Sequence, residues 1–344
     1  MKRPKMLALF IVVGSMFLIS FSFYAYQMVY TPNVLADESD RIFTVPSGAT
    51  FDEIQDRLHD ERYVKDLLSF SVLAKLMKYD QNVKPGRYLL TADMSNLAAI
   101  RLLRSGQQEP VNVTFNNVRL KPALARRLCE NLEANKKEFL ALLNDEDFVK
   151  KYGFTTENVL VMFLPNTYQF YWTTSAEELF ERFHQEYQNF WSEQRKKKAD
   201  SLNMNPREVS VLASIVESET NKPDEAPKVA GLYLNRLQRN IALQADPTLV
   251  YAAGDFTIKR VLNKHKEIDS PYNTYKYTGL PPGPIRVPSI NAIDAVLNYE
   301  DHNYLYMCAR EDFSGYHNFA TNLSTHLTNA RRYQRALSQR GIYN

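Results

Sequence analysis

Residues 6–26 form an apolar run, MLALFIVVGSMFLISFSFYAY, and no charged residue occurs from Met6 to Ala36. About 20 apolar residues suffice to cross a bilayer as a helix, so the pattern predicts a transmembrane helix over residues 6–28. Beyond it the period changes. Arg41-Ile42-Phe43-Thr44-Val45 alternates and is β-branched, which predicts a strand. Pro46-Ser47-Gly48 makes a turn, and Thr50 with Glu53 has capping-box spacing for a helix over 51–58. A second helix over 64–77 presents Leu67, Leu68, Val72 and Leu76 as its apolar face. Lys84-Pro85-Gly86 leads into a strand over 87–90. Ser95 opens a further helix, which Gly106 closes.

The rest of the chain mixes short strands with longer helices. A strand is predicted over 111–115, and Lys121-Pro122 opens a helix through Leu128 and Leu132. Residues 139–143 continue the helical pattern. The run 159–164 is wholly apolar and reads as a buried strand. Ser175 starts a helix to about Ala199, with Leu179, Phe183, Tyr187, Phe190 and Trp191 inward and Arg195–Lys198 as its solvated end. Asn205-Pro206 is a helix start, capping residue then proline, for a helix over 207–219. The next helix, 227–239, turns Val229, Leu232 and Leu237 inward. Asp246-Pro247 predicts a turn. Residues 270–285 are dense in Pro, Gly and hydrogen-bonding side chains, like the wall of a cleft. A strand over 304–307, a turn or strand over 315–319 and a helix from Ser324 complete the chain. The fold class is therefore α+β. The regions are a cytoplasmic stub (1–5), the transmembrane helix (6–28), a small α/β module (41–110), a second α/β region (111–200) and a catalytic core (201–344).

Charge adds an orientation. Lys2, Arg3 and Lys5 precede the apolar run, and Asp37, Glu38 and Asp40 follow it. The positive-inside rule leaves the N-terminus in the cytoplasm and the rest outside. The run is longer than a signal peptide's core, and Tyr24-Ala25-Tyr26 is a poor cleavage site, so a retained anchor is expected. Tyr24, Tyr26 and Tyr30 suit the membrane interface. A net charge of +3 gives no reason to expect a nucleic-acid partner. Neither the two cysteines, Cys129 and Cys308, nor the six histidines have metal-site spacing, so no metal or cofactor is expected and the thiols read as buried and unpaired.

The chemistry centres on residues 211–249. The helix over 207–219 ends in Glu217-Ser218-Glu219. Residues two apart on a helix point about 200° away from each other, so only one of the two can face the interior. Glu217 follows the stripe of Leu212, Ala213 and Val216. A buried carboxyl is harder to ionise, which prepares it as a general acid. The bland alternative is a helix-end carboxylate bonded to a neighbouring loop.

Several blocks then fall in a fixed order: SIVESET, VAGLYLNRL, LQADPT, SPYNTY, GLPPGPI and His317-Asn318-Phe319. Together they resemble the membrane-anchored endolytic murein transglycosylases (MltG/YceG-like) over most of residues 209–331. The strand–helix–helix–strand unit looks like a LysM-type module, a fold associated with N-acetylglucosamine polymers. The resemblance implies a lyase that cuts peptidoglycan strands between N-acetylmuramic acid and N-acetylglucosamine, leaving a 1,6-anhydro end and limiting nascent strand length. It puts the catalytic glutamate on Glu217. Gln244, Asp246, Tyr272, Asn273 and Thr274 become candidates for holding the sugar. The partners implied are glycan strands, the cytoplasmic membrane and peptidoglycan synthases. One departure is the stretch Leu160-Val161-Met162-Phe163-Leu164-Pro165-Asn166-Thr167-Tyr168, which lacks the family's Glu-Gly pair and has Asn166 where an Asp is usual. Two other readings stay open: a hydrolase pairing Glu217 with Asp246, and a non-catalytic wall-binding scaffold.

Overall fold

The structure is a computed structural model that describes residues 3–35 and 40–341, with side chains from Met6 onward. Lys2, Asp37, Glu38 and the side chains of Arg3 and Lys5, on which the predicted orientation rests, lie outside the described residues. The chain divides into two compact units. One comprises Met1–Asn112, Asn131–Ala134 and Gln169–Thr174; the other comprises Val113–Glu130, Asn135–Tyr168 and Ser175–Asn344.

The first unit begins with α1 (Arg3–Tyr30). Its stretch Met6–Tyr30 contains an 18-residue window with a mean hydropathy of 2.4 and is long and apolar enough to cross a membrane. Then come β1 (Arg41–Val45), α2 (Phe51–Asp60), α3 (Leu67–Leu76), β2 (Gly86–Leu90) and α4 (Asn96–Ser105). β1 and β2 pair antiparallel, Arg41 opposite Leu90 and Val45 opposite Gly86. The capping box forms as expected: Glu53 N donates to Thr50 Oγ1, and Thr50 N donates to Glu53 Oε2. Phe43, Ile54, Leu58, Phe70, Tyr88 and Ile100 form the core. α3 buries a different face from the one expected. Leu68 and Leu76 are 68% and 72% exposed, while Phe70, Leu73 and Ala74 are buried. The helix starts later than predicted because Asp66 caps it, accepting from Leu68 N and Ser69 N, and Val64 is drawn into a bridge with Val34. The large Phe70 ring then turns inward.

Next in the chain come β3 (Val111–Thr114), α5 (Lys121–Cys129), α6 (Lys136–Asn144), α7 (Glu146–Lys151) and β4 (Thr167–Phe170), which pairs with β3. The predicted strand over 159–164 is instead a 3-10 turn, Val159–Met162. All six of its residues are at most 3% exposed. An apolar run without alternation satisfies burial in either conformation, so its periodicity could not decide between them. The long helix predicted from Ser175 is two, α8 (Ala176–Phe190) and α9 (Glu193–Ser201). They break where Trp191 buries its ring. Arg195 is not merely a solvated end; it pairs with Asp294 at 3.2 Å.

α10 (Pro206–Glu219) is the central helix. Asn205 caps it, and Val209, Leu212, Ile215 and Val216 are fully buried. Around it lie α11 (Ala226–Gln238), α12 (Asp246–Ala253), α13 (Asn263–Lys266) and α14 (Ile290–Leu297). Asp246-Pro247 opens α12 rather than making a free turn, because Pro suits the first helical turn. In α11, a Cβ on Gly231 would lie 2.3 Å from the Glu300 carbonyl, so only glycine allows that approach. β5 (Tyr306–Ala309) and β6 (His317–Ala320) pair antiparallel, and α15 (Leu323–Gln339) follows. Among the described residues the strands form three separate two-stranded sheets among many helices, a mixed α/β fold.

Candidate active site

Two adjoining cavities open beside the C-terminal end of α10. One is about 860 Å³ and the other about 360 Å³. They share two side chains, Glu219 and Asp246. Glu219 is the last residue of α10, and Asp246 the first of α12.

Tyr233, buried on α11, donates its hydroxyl to Glu219 Oε1 at 2.8 Å. Burial pushes the Glu219 carboxyl up to about 7, and the nearby Asp246 adds to the rise. The Tyr233 hydrogen bond opposes both but does not cancel them. A carboxyl at about 7 is both a proton donor and, once ionised, a proton acceptor near neutral pH. Asp246 Oδ1 accepts from the Tyr275 hydroxyl at 2.5 Å. Burial and the anionic Asp246 push the Tyr275 phenol up, so it stays a donor.

Glu217, expected to be the buried acid, sits elsewhere. It lines neither of these cavities. Its Oε2 accepts from the backbone N–H of Ser289, the residue that caps α14, and its Oε1 lies 3.7 Å from Arg286. These contacts tie α10 to α14. Of the pair, Glu219 lines both cavities and Glu217 neither, the reverse of what the apolar stripe suggests. The apolar stripe of α10 points into the packed core, whereas the cleft opens where the helix leaves that core. Following the stripe therefore leads to a structural ion pair.

The five expected sugar-holding residues divide. Asp246 and Gln244 line the smaller cavity. Gln244 has a left-handed backbone (φ 53°), and its Oε1 accepts from Arg236 Nη2 at 2.8 Å. Tyr272 packs behind Tyr251, ring centroids 4.7 Å apart, and Tyr251 is the one that faces the larger cavity. Asn273 is fully buried. Its Nδ2 donates to the carbonyls of Lys266 and Ile268, and its Oδ1 accepts from the N–H groups of Tyr275 and Lys276. Thr274 is also buried and accepts from Ala245 N at 3.1 Å. Asn273 and Thr274 thus brace the loop that carries Tyr275. Neither lines the two cavities.

Sequence reasoning passed over Tyr233, Arg236 and Tyr275 as site residues. The hairpin of α10 and α11 brings Tyr233 onto Glu219 from 14 residues away. The local sequence carried one weak signal, a polar-tipped ring in an otherwise aliphatic stripe, whose hydroxyl needs a partner when buried. Among the described residues there is no cluster of three or more side chains able to hold a metal.

Comparison with known proteins finds relatives along most of the chain. The chain is 30% identical over 284 residues to the endolytic murein transglycosylase of Bacillus subtilis (strain 168), with 78% of each chain covered. It is 28% identical over 325 residues to the endolytic murein transglycosylase of Streptococcus pneumoniae serotype 2 (strain D39), covering 83% of this chain and 58% of that one. A crystal structure of a YceG-like protein from Listeria monocytogenes aligns with a TM-score of 0.55 at 26% identity, covering 85% of this chain and 99% of the other. The YceG-like family matches residues 43–332, from the first strand into α15, and the chain belongs to that family.

Proposed function

We propose that this protein is an endolytic murein transglycosylase, a lyase that cuts peptidoglycan strands internally with Glu219 as its general acid. The observation that carries the assignment of the acid is Glu219 itself, held by Tyr233 at the junction of two open cavities with its carboxyl at about 7. A strand laid across the junction places a glycosidic oxygen against that carboxyl. The protonated acid donates to the oxygen as the muramic C1–O bond breaks. The C6 hydroxyl of the same sugar attacks C1 and closes a 1,6-anhydro ring. An intramolecular nucleophile needs no positioned water, so the second carboxylate of ordinary glycosidases is dispensable. Asp246 and Gln244 then serve the sugar side of the cleft, and no cofactor is called for.

The test is cleavage of purified glycan strands by the wild type and by Glu219→Gln, with products weighed by mass spectrometry. Anhydro ends that vanish in the variant support the reading. Anhydro ends formed at the wild-type rate overturn the assignment of Glu219. Asp246 on the same wall favours one second reading, a two-carboxylate hydrolase. That enzyme would leave reducing ends instead.

The remaining assignments follow from position. Met6–Tyr30 serves as a single-pass anchor in the cytoplasmic membrane, with the catalytic unit on the outer side, where the strands are. The antiparallel β1–β2 pair flanking α2 and α3 supports a LysM-like module that grips the strand. A membrane-held cutter near sites of synthesis would limit nascent strand length and meet the synthases there.

A further inference from the structure

Proton bookkeeping in the reaction above has one unassigned partner. Glu219 gives a proton to the departing oxygen, and the C6 hydroxyl must lose one. These two oxygens flank the ring oxygen of the same sugar. The Glu219 carboxylate left behind can take that second proton in a later step, whereas a base already beside the C6 hydroxyl lets both transfers occur at once.

The smaller cavity holds a second group suited to this. His317, first residue of β6, lines the cavity together with Glu219 and Asp246. Behind it is Glu225, whose side chain is 5% exposed. His317 donates twice to Glu225, from its backbone N–H to Oε1 at 2.7 Å and from ring Nδ1 to Oε2 at 2.8 Å. The Thr220 hydroxyl donates to the same Oε2 at 2.9 Å. Glu225 is thus fixed by three hydrogen bonds and in turn fixes the ring. A neutral imidazole that donates from Nδ1 carries its lone pair on Nε2. This is the carboxylate–imidazole arrangement that orients a general base. Two chain segments 92 residues apart are joined for it.

We propose that His317 is the base that removes the C6 hydroxyl proton, with Glu225 as the residue that positions it. This rests on the transglycosylase reading. The electron pair of the C1–O bond leaves with the acetylglucosamine oxygen, which receives the Glu219 proton. The C6 oxygen forms the new bond to C1, and its proton goes to His317 Nε2. The imidazolium then returns a proton to the Glu219 carboxylate, directly or through solvent, so the cycle balances with no other reactant.

The experiment uses the full chain in detergent and purified glycan strands, following anhydro ends. His317→Gln is expected to lower kcat by about 10²–10⁴-fold with KM changed by less than about threefold. Glu225→Gln should give a smaller fall in kcat, again without a matching change in KM. Free imidazole should restore part of the activity of His317→Ala, which a misfolded protein would not permit. The proposal is overturned if His317→Gln keeps its kcat, if only KM rises, or if folded His317→Ala ignores imidazole. Wild-type protein releasing reducing ends would instead refute the transglycosylase reading on which the proposal depends.

Discussion

The last turn of α10 carries two glutamates with opposite surroundings. On one flank Glu217 meets Arg286 and the capped start of α14, and its oxygens are occupied. On the other, Glu219 meets a phenol, another carboxylate and open space. The two side chains are chemically identical. What differs is the compensation each receives on leaving water. A cation at 3.7 Å and a backbone N–H engage the oxygens of Glu217. Glu219 receives a single neutral donor and a repelling neighbour, so its proton binds more tightly. The proton is held here by withholding partners from the carboxylate.

The contrast can be broken most directly by amidation of each residue in turn. Glu219→Gln should reduce anhydro-end formation by about 10²–10⁴-fold, the range general acid catalysis supplies. Glu217→Gln should stay within about threefold of wild type in the same assay. The reverse order would return the acid to the residue that the apolar stripe selected. Stability should show the opposite ranking at pH 7. Glu217→Gln loses charge-assisted contacts and should cost about 1.5–3 kcal/mol in denaturant melts.

Proton affinity offers a finer test. The acid must be protonated to work, so kcat should fall as pH rises through about 7. Tyr233→Phe removes the hydrogen bond that favours the carboxylate, so this falling limb should move to higher pH. Asp246→Asn removes the anion that disfavours it, so the limb should move to lower pH. A pH–rate profile that neither substitution displaces would mean that another group sets the limb.

The smallest effect is on folding. Glu219 holds its proton more tightly folded than unfolded, where the ordinary value is 4.5. The stability linked to that proton is fully present below about 4.5 and is lost as pH rises to about 7. Glu219→Gln lacks this dependence. Its melting temperature relative to wild type should therefore climb between pH 5 and pH 8, by a few degrees.

Local signals foretold much of this molecule. The caps at Thr50, Ser95 and Asn205 are where their side chains required, because a cap is decided within four residues. The strand Arg41–Val45 has its predicted bounds for a similar reason. Failures came where tertiary contacts decide. Val159–Met162 has no period to read, and α3 turned on which of several apolar side chains found the deeper pocket. In the site, the motif order pointed to the end of α10 and to the loops at Gln244 and Asp246, which line the smaller cavity. It could not say which glutamate faced the cleft, or that Asn273 and Thr274 would spend their polar atoms on the loop's own backbone. Those outcomes depend on Arg286, Tyr233 and Tyr275, whose positions relative to α10 exist only after folding.

The helix α15 has a consequence for timing. It contributes Tyr333, Gln334 and Leu337 to the larger cavity and His326 to the smaller. Glu219 is synthesised more than 100 residues before this helix is complete. A nascent or truncated chain that stops short of residue 323 therefore carries Glu219 without the α15 side chains that wall its two cavities. For a protein that severs the polymer its cell depends on, the competent cleft arises late, after most of the chain has already been made.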